Sequence, residues 1–305
     1  MNMEYKIIYD KLKDFISEDR IKINEPMKNH TSFQIGGACD ILVLPRSQSE
    51  IKKIIDLCRE NQTPFFVMGN GTNLLIKDSG IRGVVIKLAQ NFNDIKVDGN
   101  IITCKAGVAM SAISRAALEN SLSGLEFANG IPGSVGGACV MNAGAYGGEM
   151  ADVVKKVKVM DFEGNVYEMS KDQIGYSYRK SSLQKGDKIL LEVEMELKPG
   201  NYDEIKSKME KCMSLRRQKQ PLNMPSAGSA FKRPKDNYAG LLIEKAGLKG
   251  YSIGGAMVSD LHAGFIVNTG NATCADVEAL LNHVKKVVKE KFNIELEPEI
   301  KIRGN

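Results

Sequence analysis

Two glycine-rich segments hold the atoms of this chain best placed to do chemistry. MGNGTNLLI, residues 68–76, follows the apolar run Pro64–Val67, and GLEFANGIPGSVGGACVMNAGAYGG, residues 124–148, contains eight glycines in twenty-five residues. In a linker, glycine would be mixed with Ser and charge. Here it alternates with Ile131, Val135, Val140 and Met141, which favour burial. Buried glycines let a backbone or a ligand approach closely, with N–H groups aimed at it. Two such loops beside buried strands imply one large phosphate-bearing ligand. A dinucleotide fold would need a helix opening at the first loop, because the helix N-terminus carries the pyrophosphate, and an acidic residue about twenty positions on. Gly69-Asn70-Gly71 instead leads into the short run Leu74–Ile76 and the turn Lys77–Gly80. A P-loop is excluded as well, since no Gly-Lys-Ser/Thr follows. The phosphate is therefore expected to be held by turns alone, through bare backbone N–H groups.

Composition narrows the remaining chemistry. The chain has 305 residues, is 43% hydrophobic and 26% charged, and carries a net charge of +5. It reads as globular, and its scattered Lys and Arg do not make a nucleic-acid surface. His30, His262 and His283 lie far apart, and Cys39, Cys58, Cys104, Cys139, Cys212 and Cys274 form no CxxC. No metal site is expected, the cysteines read as small buried hydrophobes, and catalysis must rely on groups other than histidine. The segment Met1–Phe15 spaces its apolar residues like an amphipathic helix without an unbroken h-region, and no later run is long enough to span a membrane. A cytoplasmic protein is expected.

The elements that must position the loops are readable in outline. Ser47 and Glu50 suggest a capping box, and Ile51, Ile54, Ile55 and Cys58 make one apolar face, so residues 47–61 are expected to be helical. With the strand-like runs Asp40–Leu44 and Pro64–Met68 this is a βαβ pattern, followed by a strand near Gly83–Leu88. Asp98-Gly99 and Gly164-Asn165 then mark hairpins, with a helix from Ser111 to Asn120 between them. Beyond Pro199-Gly200 come a charged helix (Tyr202–Gln218), a Pro/Gly/Ser-rich loop (Pro221–Pro234) and a helix from Asp276 to Phe292, with His283 on its surface. Three parts are expected: residues 1–88, a mostly antiparallel part 89–198, and 199–305.

The ordered set MGNGTNLL, GIPGSVGGACVMNAGAYGG, GYSYRKS, PSAGSAFKRP, AGLKG and LEPEIKI resembles the UDP-N-acetylenolpyruvoylglucosamine reductase family, over nearly the whole chain from Thr31 to Arg303. The glycine loops alone are similar to the wider vanillyl-alcohol-oxidase-like FAD superfamily, and the later motifs select the reductase. The resemblance implies an α+β protein: a PCMH-type two-subdomain FAD-binding fold plus a C-terminal α+β substrate-binding domain. It implies reduction of UDP-N-acetylglucosamine enolpyruvate to UDP-N-acetylmuramate, with NADPH as hydride donor, in peptidoglycan precursor synthesis. It also implies non-covalent FAD, since no His lies between residues 31 and 261 to tether it, and a monomer with no nucleic-acid or membrane partner.

By the same resemblance, Gly69, Asn70, Gly71, Thr72 and Asn73, with Leu74 beside them, surround the FAD pyrophosphate. Gly130, Ile131, Pro132, Gly133, Ser134, Gly136 and Gly137 line its other side. Asn142, Ala143 and Gly144 approach the flavin. Arg179 takes the substrate carboxylate, a role that suits a planar guanidinium able to make two parallel hydrogen bonds. Ser229 becomes the proton donor and Glu299 the third catalytic residue, orienting or protonating the enolic intermediate. Tyr178, Lys219, Arg233, Tyr238, Glu244 and Lys249 resemble positions that meet the uridine nucleotide. Arg233 stands where the family often has Asn, and the short stretch between Arg179 and Ser229 resembles the subclass without the extra substrate-covering loop.

On pattern alone these three residues stay open. If residues 176–180 are extended, Ser177 and Arg179 share one face and Tyr176 and Tyr178 the other, and pattern alone favours Arg179 as a solvated strand end. Pattern alone favours Ser229 as a turn residue, and with no His nearby in sequence and no GxSxG, hydrolase chemistry has little support. Glu299 shares a strand face with Glu297 and Lys301, where a neighbouring carboxylate would raise its pKa unless Arg179 shares the charge. An FAD oxidase of a sugar or lactone, or a non-catalytic nucleotide-binding module, would share the glycine loops. Oxygen consumption without NADPH would mark the first, and a colourless protein the second.

Overall fold

The computed structural model describes residues 3–89 and 91–305. The chain folds as two compact units, the first built from the chain up to Ile23, Ile41–Asn70 and Gly83–Arg216, and the second from Asn24–Asp40, Gly71–Arg82 and Arg217–Asn305. Each has its own hydrophobic core.

In the first unit the helix Gln48–Glu60 buries Ile51, Ile54, Ile55, Leu57 and Cys58, the apolar spacing of one helix face. Ser47 caps it by accepting the Glu50 N–H at 3.1 Å. The reciprocal half of the expected capping box is missing. The Glu50 carboxylate instead receives the Arg46 N–H at 2.6 Å and two bonds from Arg20, at 2.7 and 3.0 Å. Arg20 is buried, and its guanidinium finds its counter-charge in this carboxylate. The strand Phe65–Met68 pairs in parallel with Ile81–Lys87 in a four-stranded sheet.

The expected hairpins form part of a five-stranded antiparallel sheet ordered Val166–Ser170, Val154–Asp161, Lys188–Glu196, Ile101–Lys105 and Ile95–Asp98. Gly99-Asn100 is the two-residue turn of one of them, with Asp98 opposite Ile101. The second glycine-rich stretch contains a helix, Val135–Met141, where the sequence leads us to expect only turns and loop. Two adjacent glycines are poor helix formers. Tertiary bonds supply what propensity lacks: Val135 N–H reaches the Val108 carbonyl at 2.7 Å, and Gly136 N–H reaches Ala106 at 2.8 Å.

The second unit has an antiparallel sheet ordered Ser226–Ser229, Phe265–Asn268, Ala256–Val258 and Ser252–Ile253. Its long helix starts at Cys274, two residues before the expected Asp276, because Thr273 and Asp276 form a full capping box. The helix buries Val277, Leu280, Leu281, Val284 and Val288. His283 is not simply a surface residue: its ring stacks on Tyr251, centroids 4.4 Å apart. The strand Lys301–Arg303 pairs in parallel with Leu74–Ile76. All six cysteines are unpaired, and all but Cys212 are buried, as small core hydrophobes.

Thr273→Ala removes a side-chain acceptor from the first turn of this helix and should cost about 1 kcal/mol. Thr273→Ser should restore most of it. Urea denaturation followed by circular dichroism measures both, and equal midpoints for all three proteins would show that the cap carries no stability.

Candidate functional site

The first unit brings the two glycine-rich segments against each other. A Cβ on Gly69 would lie 2.1 Å from Ser134 Oγ, so any other residue would force Ser134 out of its place. Ser134 is buried and caps the helix Val135–Met141 by accepting the Gly137 N–H at 3.3 Å. The N–H groups of Val135, Gly136 and Gly137 are thus bonded within the protein. Gly130 lies against the helix Tyr202–Lys219, where an added Cβ would stand 3.0 Å from Met213 and 3.3 Å from Arg216. Arg216 is buried, its guanidinium 5.7 Å from the Tyr146 ring centroid, and burial lowers its pKa below the ordinary arginine value.

The helix ends at Asn142, which adopts the left-handed conformation with φ 44° and is completely buried. Its side chain works in both directions, accepting the Ala151 N–H at 2.9 Å and donating to the Ser177 carbonyl at 3.1 Å. Beyond it, Gly144-Ala145 pairs with Gly148-Glu149 across the two-residue turn Tyr146-Gly147. Both turn residues have positive φ, the geometry that matches strand twist.

Arg179 does not lie on an extended strand, which corrects the alternation expected for residues 176–180. Ser177 and Lys180 exchange two backbone hydrogen bonds of 3.0 Å, making Tyr178 and Arg179 the two residues of a tight turn. Arg179 takes φ 55°, a conformation that costs a non-glycine residue about 1–2 kcal/mol. Its guanidinium donates to the carbonyls of Asn142 at 3.3 Å and Gly144 at 2.9 Å, and lies 5.2 Å from the Tyr178 ring centroid. Tyr176 and Tyr178 therefore part company. The Tyr178 side chain is exposed, whereas burial, then Cys139, pushes the Tyr176 hydroxyl well above an ordinary phenol. Burial likewise lifts the Cys139 thiol to about 12.

In the second unit Ser229 and Glu299 lie on neighbouring segments. Ser229 ends the strand Ser226–Ser229, after an irregularity in its pairing with Phe265–Asn268 at which Gly228 has φ 76°. Phe231 and Pro298 form a bridge, flanked by Glu299 N–H to the Ala230 carbonyl and Lys232 N–H to the Glu297 carbonyl, both 2.9 Å. Regular strand begins only at Lys301, where the chain takes up its parallel pairing with Leu74–Ile76. Glu297 does not stand as a bare charge beside Glu299, since the buried Lys232 ammonium pairs with its carboxylate. Asn73 joins this edge, donating to the Glu299 carbonyl at 3.3 Å and accepting the Lys301 N–H at 3.0 Å. Burial, then the charges of Lys232 and Arg303, pulls the Lys301 ammonium down.

The remaining substrate candidates fall into two pairs and one single residue. The Arg233 guanidinium stacks 4.0 Å over Tyr238, and Lys249 pairs with Glu244 at 2.9 Å. Lys219 is the exposed last residue of the helix Tyr202–Lys219. Ser181, Gln184 and Arg216 had no signal in the sequence. Ser and Gln after a basic turn look like surface residues, and Arg216 sits in a run of helical charges. No helix among the described residues is long and apolar enough to cross a membrane.

A domain in which a glycine loop packs against the Ser134 cap of a glycine-rich helix suits a pyrophosphate cofactor, and residues 39–170 match the FAD-binding domain model. This is the fold of FAD-dependent oxidoreductases. An alkyldihydroxyacetonephosphate synthase structure shares it, at TM-score 0.52 and 18% identity over 64% of this chain and 42% of the other. Residues 220–303 match the C-terminal domain of UDP-N-acetylenolpyruvoylglucosamine reductase. The chain is 54% identical to that reductase from Caldanaerobacter subterraneus subsp. tengcongensis, covering 98% of this chain and 99% of the relative. It is 49% identical to the reductase from Clostridioides difficile, covering 99% of each. The reductase structure from Thermus caldophilus superposes at TM-score 0.79 with 36% identity, over 92% of this chain and 99% of the other. The chain belongs to the UDP-N-acetylenolpyruvoylglucosamine reductase family, NADPH-dependent flavoenzymes of peptidoglycan precursor synthesis.

Gly69→Ala should cost the purified protein most of its flavin, because the new methyl collides with Ser134 Oγ. Gly69→Ala/Ser134→Gly restores the space, and glycine is an acceptable cap, so it should regain colour. Visible absorbance per protein decides, and a yellow single variant would show that the loop yields elsewhere.

Proposed function

We propose that the chain reduces UDP-N-acetylglucosamine enolpyruvate to UDP-N-acetylmuramate with Arg179, Ser229 and Glu299 as its catalytic residues. One NADPH and one proton are consumed for each double bond reduced. Bound FAD, which the two glycine-rich segments would hold, would supply the hydride carrier between NADPH and the terminal carbon of the enolpyruvyl group. Electron density then moves toward the substrate carboxylate, where Arg179 supplies a fixed charge and paired donors. Ser229 gives its hydroxyl proton to the ether-bearing carbon and regains one from solvent, while Glu299 orients that exchange. The observation that carries this reading is the hydrogen bond from Glu299 N–H to Ala230, which sets Glu299 beside the residue following Ser229.

FAD is assigned, non-covalently, to residues 69–74, to 130–134 with Gly136 and Gly137, and to 142–144. Residues 1–88 and 89–198 are assigned as its two subdomains. The substrate domain, 199–305, would meet the uridine nucleotide through Lys219, Arg233, Tyr238, Glu244 and Lys249, joined by Tyr178. The stacked Arg233 suits a diphosphate, since a cation held on an aromatic face loses little freedom on binding. A cytoplasmic monomer is the expected form, because NADPH and a nucleotide sugar are its substrates.

NADPH alone should bleach the flavin and the enolpyruvyl substrate should restore its colour, giving ping-pong kinetics. Intersecting double-reciprocal lines would instead require a ternary complex. Ser229→Ala should leave bleaching nearly intact and slow recolouring by about 10²–10⁴, the usual worth of a positioned acid. Rapid-mixing absorbance measures each half-reaction, and equal slowing of both would reassign Ser229 to a structural role.

A further inference from the structure

Arg179 occupies an unfavourable backbone region, so something must keep it there. The two bonds between Ser177 and Lys180 close the turn but do not fix where it sits. That is decided from outside. Gln184 donates one amide hydrogen to the Arg179 carbonyl at 2.9 Å and the other to the Val140 carbonyl at 3.1 Å. Ser181 Oγ donates to the same Val140 carbonyl at 2.7 Å. Val140 lies in the last turn of the helix whose cap, Ser134, faces Gly69. On the other side of the turn, Asn142 holds the Ser177 carbonyl. The Gln184 amide thus bridges the Arg179 peptide to the helix that leads into Asn142–Gly144, whose carbonyls receive the guanidinium. Gln184 begins this bridge from the short 3-10 turn Ser182–Lys185, whose Leu183 is buried in the first core.

We propose that Gln184 is a positioning residue of the reductase: its amide holds the Arg179 peptide in its left-handed conformation and so aims the guanidinium at the substrate carboxylate. The idea rests on the assignment of Arg179 as the carboxylate-binding residue. A group acting through Arg179 should matter only in the step that Arg179 serves. It should also have no effect once Arg179 is gone.

The test uses the FAD-loaded full-length enzyme and the two half-reactions. Gln184→Leu removes both donors, and Gln184→Glu keeps the shape while replacing donors with acceptors. Each variant should retain its flavin, be bleached by NADPH within about two-fold of the wild-type rate, and be recoloured by the enolpyruvyl substrate at least about ten-fold more slowly. In an Arg179→Ala background, adding Gln184→Leu should change recolouring by less than about two-fold, because coupled residues are non-additive. Recolouring at the wild-type rate in both Gln184 variants, with Arg179→Ala slow, overturns the proposal. Full additivity with Arg179→Ala, or equal slowing of both half-reactions with loss of flavin, also overturns it, by making Gln184 structural. Normal recolouring in Arg179→Ala itself would refute the assignment of Arg179 instead.

Discussion

Close approach of the Ser134 side chain to the Gly69 backbone is the constraint on which the first unit depends. With no Cβ at that position, the Ser134 hydroxyl can stand where a side chain would otherwise be, and two segments far apart in sequence form one wall. Glycine keeps bulky side chains off that wall, which suits the close approach of a pyrophosphate. It also has a structural cost: the amides of Val135, Gly136 and Gly137 are bonded within the protein, so the short helix is held in place by Ala106 and Val108.

That helix passes its rigidity to the chemistry. Its last turn gives the Val140 carbonyl to Ser181 and Gln184, and its buried terminal Asn142 ties together Ala151 and Ser177. The Arg179 turn rests on these contacts, with the guanidinium on the Asn142 and Gly144 carbonyls. A strained conformation persists only where its surroundings over-determine it, and here they do. The second unit uses a comparable device for Ser229 and Glu299, with a proline-interrupted bridge fixed by the Lys232–Glu297 pair and by Asn73.

Much of this was legible from local rules. Ser47 with the spacing of Ile51, Ile54, Ile55 and Cys58 marked a helix, and Asp98-Gly99 marked a hairpin, because caps and tight turns depend on residues within a few positions of each other. Elements whose stability comes from distant partners were not legible. The helix Val135–Met141 runs against the propensity of its glycines, the Glu50 carboxylate is taken by Arg20 thirty positions away, and His283 stacks on a tyrosine from another segment.

The sequence by itself determined the family, the two glycine-rich segments and the residue types available for hydride and proton chemistry, since each depends on short motifs in a fixed order. Tertiary structure alone decided how Arg179 is presented. Period-two alternation would have placed it on a strand face, but a turn closed by Ser177 and Lys180 and gripped by Gln184 places it in the left-handed region instead. Backbone strain of that kind is never favoured locally. It exists only when contacts from elsewhere in the fold offset it, and those contacts cannot be read from Arg179 and its chain neighbours.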